Sequence, residues 1–171
     1  MLLLACSGNT SQTASDKPTQ KGKVSYTMLK IIPTVPSYIP GKSQQDSAKK
    51  FLINLYGKAR IELASTDSIE FIDQGENFDS VSCNLCGRAI KMEDWQNAMD
   101  NAAQRQFADL SFVTPCCHKK TSLNDLTYHS AAGFAKFVIT ISDLQDDLSD
   151  KVIRDLQDIL GTPLRKIWAH Y

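Results

Sequence analysis

The chain has no surplus of charge of either sign. Nineteen lysines and arginines balance nineteen aspartates and glutamates, so no overall field draws it to nucleic acid or to an anionic membrane surface. Its middle is no more basic: between Gly75 and Ser130, Glu76, Asp79, Glu93, Asp94, Asp100, Asp109 and Asp125 stand against Arg88, Lys91, Arg105, Lys119 and Lys120. A zinc module built for nucleic acid has the opposite bias. No run after the leader approaches the roughly 20 apolar residues of a membrane-spanning helix. Neither G-x-x-x-x-G-K-[S/T] nor G-x-G-x-x-G occurs, which removes the local signals of nucleotide binding. Histidine is scarce, and His118, His129 and His170 belong to no H-E-x-x-H and no hydrolase motif. The acidic run Asp143, Asp146, Asp147, Asp150 has Leu148 and Arg154 where a calcium loop needs glycine and glutamate. It reads as a solvated turn that favours the start of the following helix.

What is present is cysteine, unevenly placed. Cys6 stands alone near the start, Cys83 and Cys86 form C-N-L-C-G, and Cys116 and Cys117 form P-C-C-H. A length of 171 residues allows one hydrophobic core with an embellishment, and is short for two ordinary domains.

Leu3-Leu4-Ala5-Cys6 is similar to the lipobox of bacterial lipoproteins, in which the cysteine is acylated after cleavage. Ser7 to Lys23 is rich in Ser, Thr, Gln, Asn, Lys and Gly with no apolar period, a composition that cannot bury enough surface to offset its ordering entropy. Residues 1–23 therefore read as a lipidation site at Cys6 followed by a flexible tether, and the chain as a membrane-anchored lipoprotein. Against this, the leader shows neither the basic n-region nor the longer h-region of a signal peptide. The other reading is a frayed terminus with a chance cysteine and a cytoplasmic protein.

From residue 24 the pattern is that of a single α+β domain. Val24 to Ile32 is β-branched and stops at Pro33, which predicts a strand. Ala48, Phe51, Leu52, Leu55 and Tyr56 fall at helical spacing, with Ser43 or Asp46 as candidate N-caps and Gly57 as the stop. Arg60 to Ala64 and Ile69 to Asp73 read as two strands separated by the turn-rich S-T-D-S. Lys136 to Ser142 predicts another strand. Ser149 then caps a helix whose staple is Leu148 with Ile153 and whose buried stripe is Val152, Leu156, Ile159 and Leu160. Gly161 and Pro163 end it, and Leu164 to His170 returns as a strand. Strand, helix, strand thus occurs twice, which predicts a ferredoxin-like split β-α-β sandwich. Residues 75–130 are an insertion between the halves. Within it Trp95, Ala98, Met99, Ala102 and Gln106 or Phe107 share a helical face, and Asp109 to Thr114 reads as a strand. Phe71, Phe78, Trp95 and Trp168 are expected in the core.

All four later cysteines lie in this insertion. A C-x-x-C turn converges two thiolates on one tetrahedral ion, and Gly87 permits the turn that aims amides at sulfur. Cys116 and Cys117 are adjacent, so their side chains diverge unless the backbone turns sharply; His118 is an alternative fourth ligand. Three chemistries compete: a structural zinc site of four thiolates, a thiol-disulfide redox centre at Cys83 and Cys86, and two plain disulfides, favoured if Cys6 exports the chain. The polar residues Asn124, Asp125, Tyr128 and His129 are candidates for a pocket beside the metal. In the alternative reading, S-L-N-D-L is a capped turn with Leu123 and Leu126 packed beneath it.

G-x-N-F-x-x-V-x-C-x-x-C-G at Gly75 to Gly87, P-C-C at Pro115 to Cys117, S-L-N-D-L-x-Y at Ser122 to Tyr128, A-G-F-A-x-F at Ala132 to Phe137 and the terminal W-A-H-Y together resemble an uncharacterised bacterial protein family with a zinc-ribbon-like cysteine set. The resemblance covers Val24 to Tyr171. It implies zinc at Cys83, Cys86, Cys116 and Cys117 and supplies no activity. The chain departs from that pattern at His118, where a small residue is usual, and in its lipobox-like leader.

The expectation is a non-enzymatic, zinc-stapled protein that binds an unidentified protein or small molecule, with no nucleic-acid partner and membrane contact only through lipid on Cys6. The alternative is a redox protein acting through Cys83 and Cys86. A third reading is an open zinc site of three cysteines with Asp125 or His129 as base, which requires one thiol to stand apart.

Overall fold

The computed structural model describes residues 27–144 and 146–171. Its elements are β1 (Thr27–Pro33), α1 (Lys42–Tyr56), β2 (Arg60–Ile72), β3 (Val81–Ser82), α2 (Met92–Ala103), β4 (Ser111–Val113), β5 (Lys120–Ser122), a 3-10 turn at Leu123–Asp125, β6 (Thr127–Tyr128), β7 (Gly133–Ser142), α3 (Asp150–Leu160) and β8 (Leu164–His170). Cys6, the tether and the expected start of the first strand at Val24 lie outside the described residues. No helix among the described residues is long and apolar enough to cross a membrane.

Four strands form one sheet in the order β2-β7-β1-β8, with every neighbouring pair antiparallel. The fold is therefore α+β with an antiparallel sheet. Period-two alternation puts Leu29 and Ile31 of β1 beside Phe137, Ile139 and Ile141 of β7 on one face. Helices α1 and α3 cover that face through Ala48 and Leu52 and through Leu156 and Leu160, each fully buried.

The ends of α3 follow the sequence. The Ser149 hydroxyl accepts from the Val152 amide at 3.4 Å, Leu148 and Ile153 belong to the same apolar cluster, and Gly161 (φ 71°) donates to the Gln157 carbonyl at 2.8 Å. The start of α1 does not. Neither Ser43 nor Asp46 caps it; Gly41 does, its amide donating to Oε1 of Gln44 at 2.8 Å, while Asp46 pairs with Lys42 at 2.6 Å. Leu55 is 51% exposed, so the buried stripe of α1 is narrower than its periodicity suggests.

The expected break between Ala64 and Ile69 is no turn. Strand β2 runs through it, and Ser65 pairs with Phe137 while Glu70 pairs with Ala135, so five steps along β2 oppose two along β7. The S-T-D-S segment is absorbed as a bulge. Thr66 donates to the Ser68 carbonyl at 2.8 Å and Lys136 donates to the Asp67 carbonyl at 2.6 Å, which satisfies backbone groups the ladder loses there.

After β2 the chain crosses to the opposite edge of the sheet. Lys30 donates to the Asp73 carbonyl at 3.1 Å, the His170 amide donates to the Gln74 carbonyl at 3.1 Å, and the Glu76 amide donates to the His170 carbonyl at 2.7 Å. Gly75 (φ 63°) lies so close to β8 that a Cβ there would sit 2.1 Å from the His170 carbonyl oxygen. Glycine is required at this crossing.

The insertion has its own core, in which Trp95, Met99, Ala102, Phe112, Leu123 and Tyr128 pack against Phe134 of β7. Phe78 stacks on Trp95 with ring centroids 4.7 Å apart, and Phe71 meets Trp95 at 6.1 Å, so these aromatics are structural. Trp168, half-buried, packs on the helix-covered face. Of the two residues offered to end the α2 stripe, Phe107 packs and Gln106 does not; both have positive φ (55° and 52°) just after the helix. The strand expected over Asp109 to Thr114 is confined to Ser111–Val113, because the Asp109 carboxylate accepts from the Ser111 amide at 2.9 Å and turns the chain before it.

Candidate metal centre

Two short hairpins carry the four cysteines. In the first, the Ile90 amide donates to the Val81 carbonyl at 2.9 Å and Ser82 bridges Ala89, placing Cys83 to Arg88 at the tip. In the second, β4 pairs with β5, placing Thr114 to Lys119 at the tip. A bond of 3.0 Å from the Thr121 hydroxyl to Oδ1 of Asn84 ties one hairpin to the other.

At the junction the four sulfurs of Cys83, Cys86, Cys116 and Cys117 all lie within 4.8 Å of one another. The Sγ–Sγ separations across the hairpins are 3.9 Å for Cys83 with Cys117 and 3.4 Å for Cys86 with Cys116. Four thiolates about 2.3 Å from a central tetrahedral ion stand about 3.8 Å apart, whereas a disulfide needs about 2.05 Å. All four cysteines are free thiols. The donor set and its spacing fit a tetrahedral metal, and every sulfur is part of the group.

Among the described residues no histidine or carboxylate joins this group. His118 is exposed with φ 55° and serves the turn. His129 lies 4.0 Å from Asp79, both exposed, and Asp125 is exposed at the end of the 3-10 turn. Tyr128 is buried, donates to the Leu123 carbonyl at 2.9 Å, and has its pKa pushed up to about 12 by burial, so it offers no base. Asn124 is a joist between insertion and sheet: its Nδ2 donates to the Thr34 carbonyl at 3.1 Å and its Oδ1 accepts from the Phe134 amide at 3.1 Å. The capped-turn reading of S-L-N-D-L holds, with Ser122 accepting from the Asn124 amide at 3.2 Å and Leu123 and Leu126 buried.

The sulfurs sit in unequal surroundings. Cys83 is buried and Cys86 exposed, with Cys116 and Cys117 between them. The Arg88 amide and then its guanidinium hydrogen-bond Cys86 and hold that thiol down at about 6. Burial opposes ionisation of Cys83, yet the amides of Leu85 and Cys86 outweigh it and lower its pKa. Cys116 moves the other way, pushed up to about 11 first by burial and then by the neighbouring sulfurs. The Arg88 guanidinium brings positive charge to the sulfur cluster beside Cys86.

This asymmetry sets the pH behaviour of the metal-free protein. A folded pKa of about 6 against an ordinary 9.0 means that ionised Cys86 favours the fold fully above pH 9 and that this contribution is lost as the pH falls through about 6. Iodoacetamide titrated against metal-free protein is expected to modify Cys86 first, with half its maximal rate near pH 6, and Cys116 last. Site-resolved mass spectrometry across pH 5 to 9 reads the order, and equal rates at the four positions would contradict it.

No known protein-family model, curated protein or solved structure matches the chain.

Proposed function

We propose that this protein is a non-enzymatic binding or interaction protein whose insertion is stapled by structural zinc at Cys83, Cys86, Cys116 and Cys117. The observation that carries the reading is the convergence of all four sulfurs within 4.8 Å. An all-thiolate tetrahedral set suits zinc, and four protein ligands leave no coordination position for a reacting water. The ion when bound supplies cross-linking, not chemistry. The third hydrolytic reading needs one thiol apart from the rest, and the close grouping speaks against it.

In this proposal the scaffold is a ferredoxin-like split β-α-β sandwich, supported by the order β2-β7-β1-β8 with α1 and α3 on one face. The insertion is zinc-ribbon-like, supported by two cysteine-tipped hairpins. Membership of the bacterial family suggested by the C-x-x-C-G and P-C-C motifs, and a lipid on Cys6, complete the proposal. The thiol-disulfide alternative draws on one observation, the depressed pKa of Cys86. Against it, Cys83 is buried, and Cys83 and Cys86 lie near Cys117 and Cys116 respectively across the two hairpins.

Elemental analysis with thiol counting on intact protein, before and after chelation, separates these readings. The expected result is one zinc per chain and four thiols that become reactive on chelation. No zinc, with a disulfide between Cys83 and Cys86 that dithiothreitol reverses, would establish the redox protein instead. The intact mass of protein from a bacterial membrane fraction reports the lipid.

A further inference from the structure

The tips of the two hairpins are the same loop. In the first, the Gly87 amide donates to the Cys83 carbonyl at 2.8 Å and the Cys83 amide donates to the Arg88 carbonyl at 2.9 Å. In the second, the His118 amide donates to the Thr114 carbonyl at 2.9 Å and the Thr114 amide donates to the Lys119 carbonyl at 3.0 Å. The fifth residue has positive φ in both, 72° at Gly87 and 55° at His118. The first residue is buried in both, Cys83 at 1% and Thr114 at 0% exposure. Bond for bond, Thr114 occupies the place of Cys83, Cys117 that of Cys86, and Cys116 that of Leu85.

We infer that the second loop holds the metal in a shifted frame: Thr114 stands at a ligand position and positions Cys117, while Cys116 supplies the missing thiolate from a position that is not a ligand in the first loop. This inference rests on the metal reading proposed above. The Thr114 hydroxyl lies 3.0 Å from Sγ of Cys117 and 3.2 Å from the Lys119 carbonyl. A metal-bound thiolate has no proton to give and the Lys119 carbonyl already accepts from the Thr114 amide, so the single hydroxyl proton turns to the nearer sulfur of Cys117. In the first loop a backbone amide also aims at sulfur, at the place Thr114 occupies in the second: the Leu85 N–H lies 3.4 Å from Sγ of Cys83. The position of Cys116 also explains its exposure: its counterpart Leu85 is 45% exposed, and Cys116 is drawn only partly inward toward Cys86. Thr114 is thus a positioning residue, and the loop retains a ligand place that cysteine can fill.

The test is a swap of ligands. Zinc affinity is measured by competition with a chromophoric chelator, and cobalt-loaded protein gives a thiolate-to-metal absorption band that scales with the number of coordinated sulfurs. Cys116→Ala is expected to lose affinity and about a quarter of the band, as one of four thiolates is removed. Cys116→Ala combined with Thr114→Cys is expected to regain both. Thr114→Val, which keeps the shape and removes the donor, is expected to weaken zinc by about 10- to 100-fold, and Thr114→Ser to stay near wild type. If the wild type binds zinc but the double variant stays as weak as Cys116→Ala, the shifted frame is wrong. If Thr114→Val binds as the wild type does, the positioning role is wrong. A wild type that binds neither metal overturns the metal reading itself, along with the shifted frame. Circular dichroism of each loaded variant distinguishes a misfolded chain from a lost ligand.

Discussion

Stripping the metal with a strong chelator at pH 7 is expected to open both hairpin tips and loosen the insertion while the four-stranded sheet survives. Strands β3, β4, β5 and β6 have only two or three residues each, and two-stranded ribbons of that size have no stability of their own. Structural zinc contributes about 10–16 kcal/mol of apparent binding free energy in small finger peptides, and in such units that energy is folding energy. Here part of the insertion has a second source of order, because Trp95, Met99 and Phe134 bury its far side. Loss of order is therefore expected to concentrate at residues 81–90 and 111–122. Amide hydrogen exchange with and without chelator reads this directly, and unchanged protection at 81–90 after complete metal removal would refute the staple. Acidification acts in the same direction, since protons compete with the ion for the thiolates.

The second large effect is expected at Asn124, which binds no metal. Asn124→Ala leaves the buried Phe134 amide and the half-buried Thr34 carbonyl without this partner, at about 1–3 kcal/mol each. Arg165 is weakened too: it spans the Asn124 carbonyl at 3.1 Å, its Oδ1 at 3.3 Å and the Ala132 carbonyl at 2.7 Å, and loses the side-chain oxygen. The sum is about 4 kcal/mol, or about 8–16 °C in Tm for a chain of this size. Calorimetry of metal-loaded protein measures it. Asp125→Ala, one residue on and exposed, is expected to stay within about 0.5 kcal/mol of wild type. Equal shifts for the two variants would show that Asn124 is only a turn former.

These two sites differ in how far the sequence announces them. Cys83-Asn84-Leu85-Cys86-Gly87 declares both thiols of its half of the cluster and the glycine that its positive φ demands. The second loop declares only sulfur, since Thr114 holds the place of a cysteine and His118 takes a left-handed conformation that few side chains accept. Asn124 reads as a turn former because a polar residue beside serine and aspartate usually is one; its burial depends on Thr34 and Arg165, which are distant in sequence. The same distinction runs through the scaffold. Helix α3 was legible because its cap, staple, stripe and terminal glycine agree locally. The bulge in β2 was not, because S-T-D-S has turn composition and only the partner strand β7 decides that the pairing continues beyond it. The cap of α1 depends on a side chain reaching backwards from Gln44 to Gly41, which period and composition do not register.

The sheet order has a consequence for the nascent chain. Strands β1 and β2 are not neighbours; the gap between them is filled by β7, which begins at Gly133. Until the ribosome has delivered the whole insertion, the two early strands have no partner between them, and α1 can shield only one side of each. The metal loop is therefore completed before the scaffold that carries it can close. If the proposed ion binds at that moment, it would join Cys86 to Cys116 and shorten the path the chain must search to bring β2 to β7.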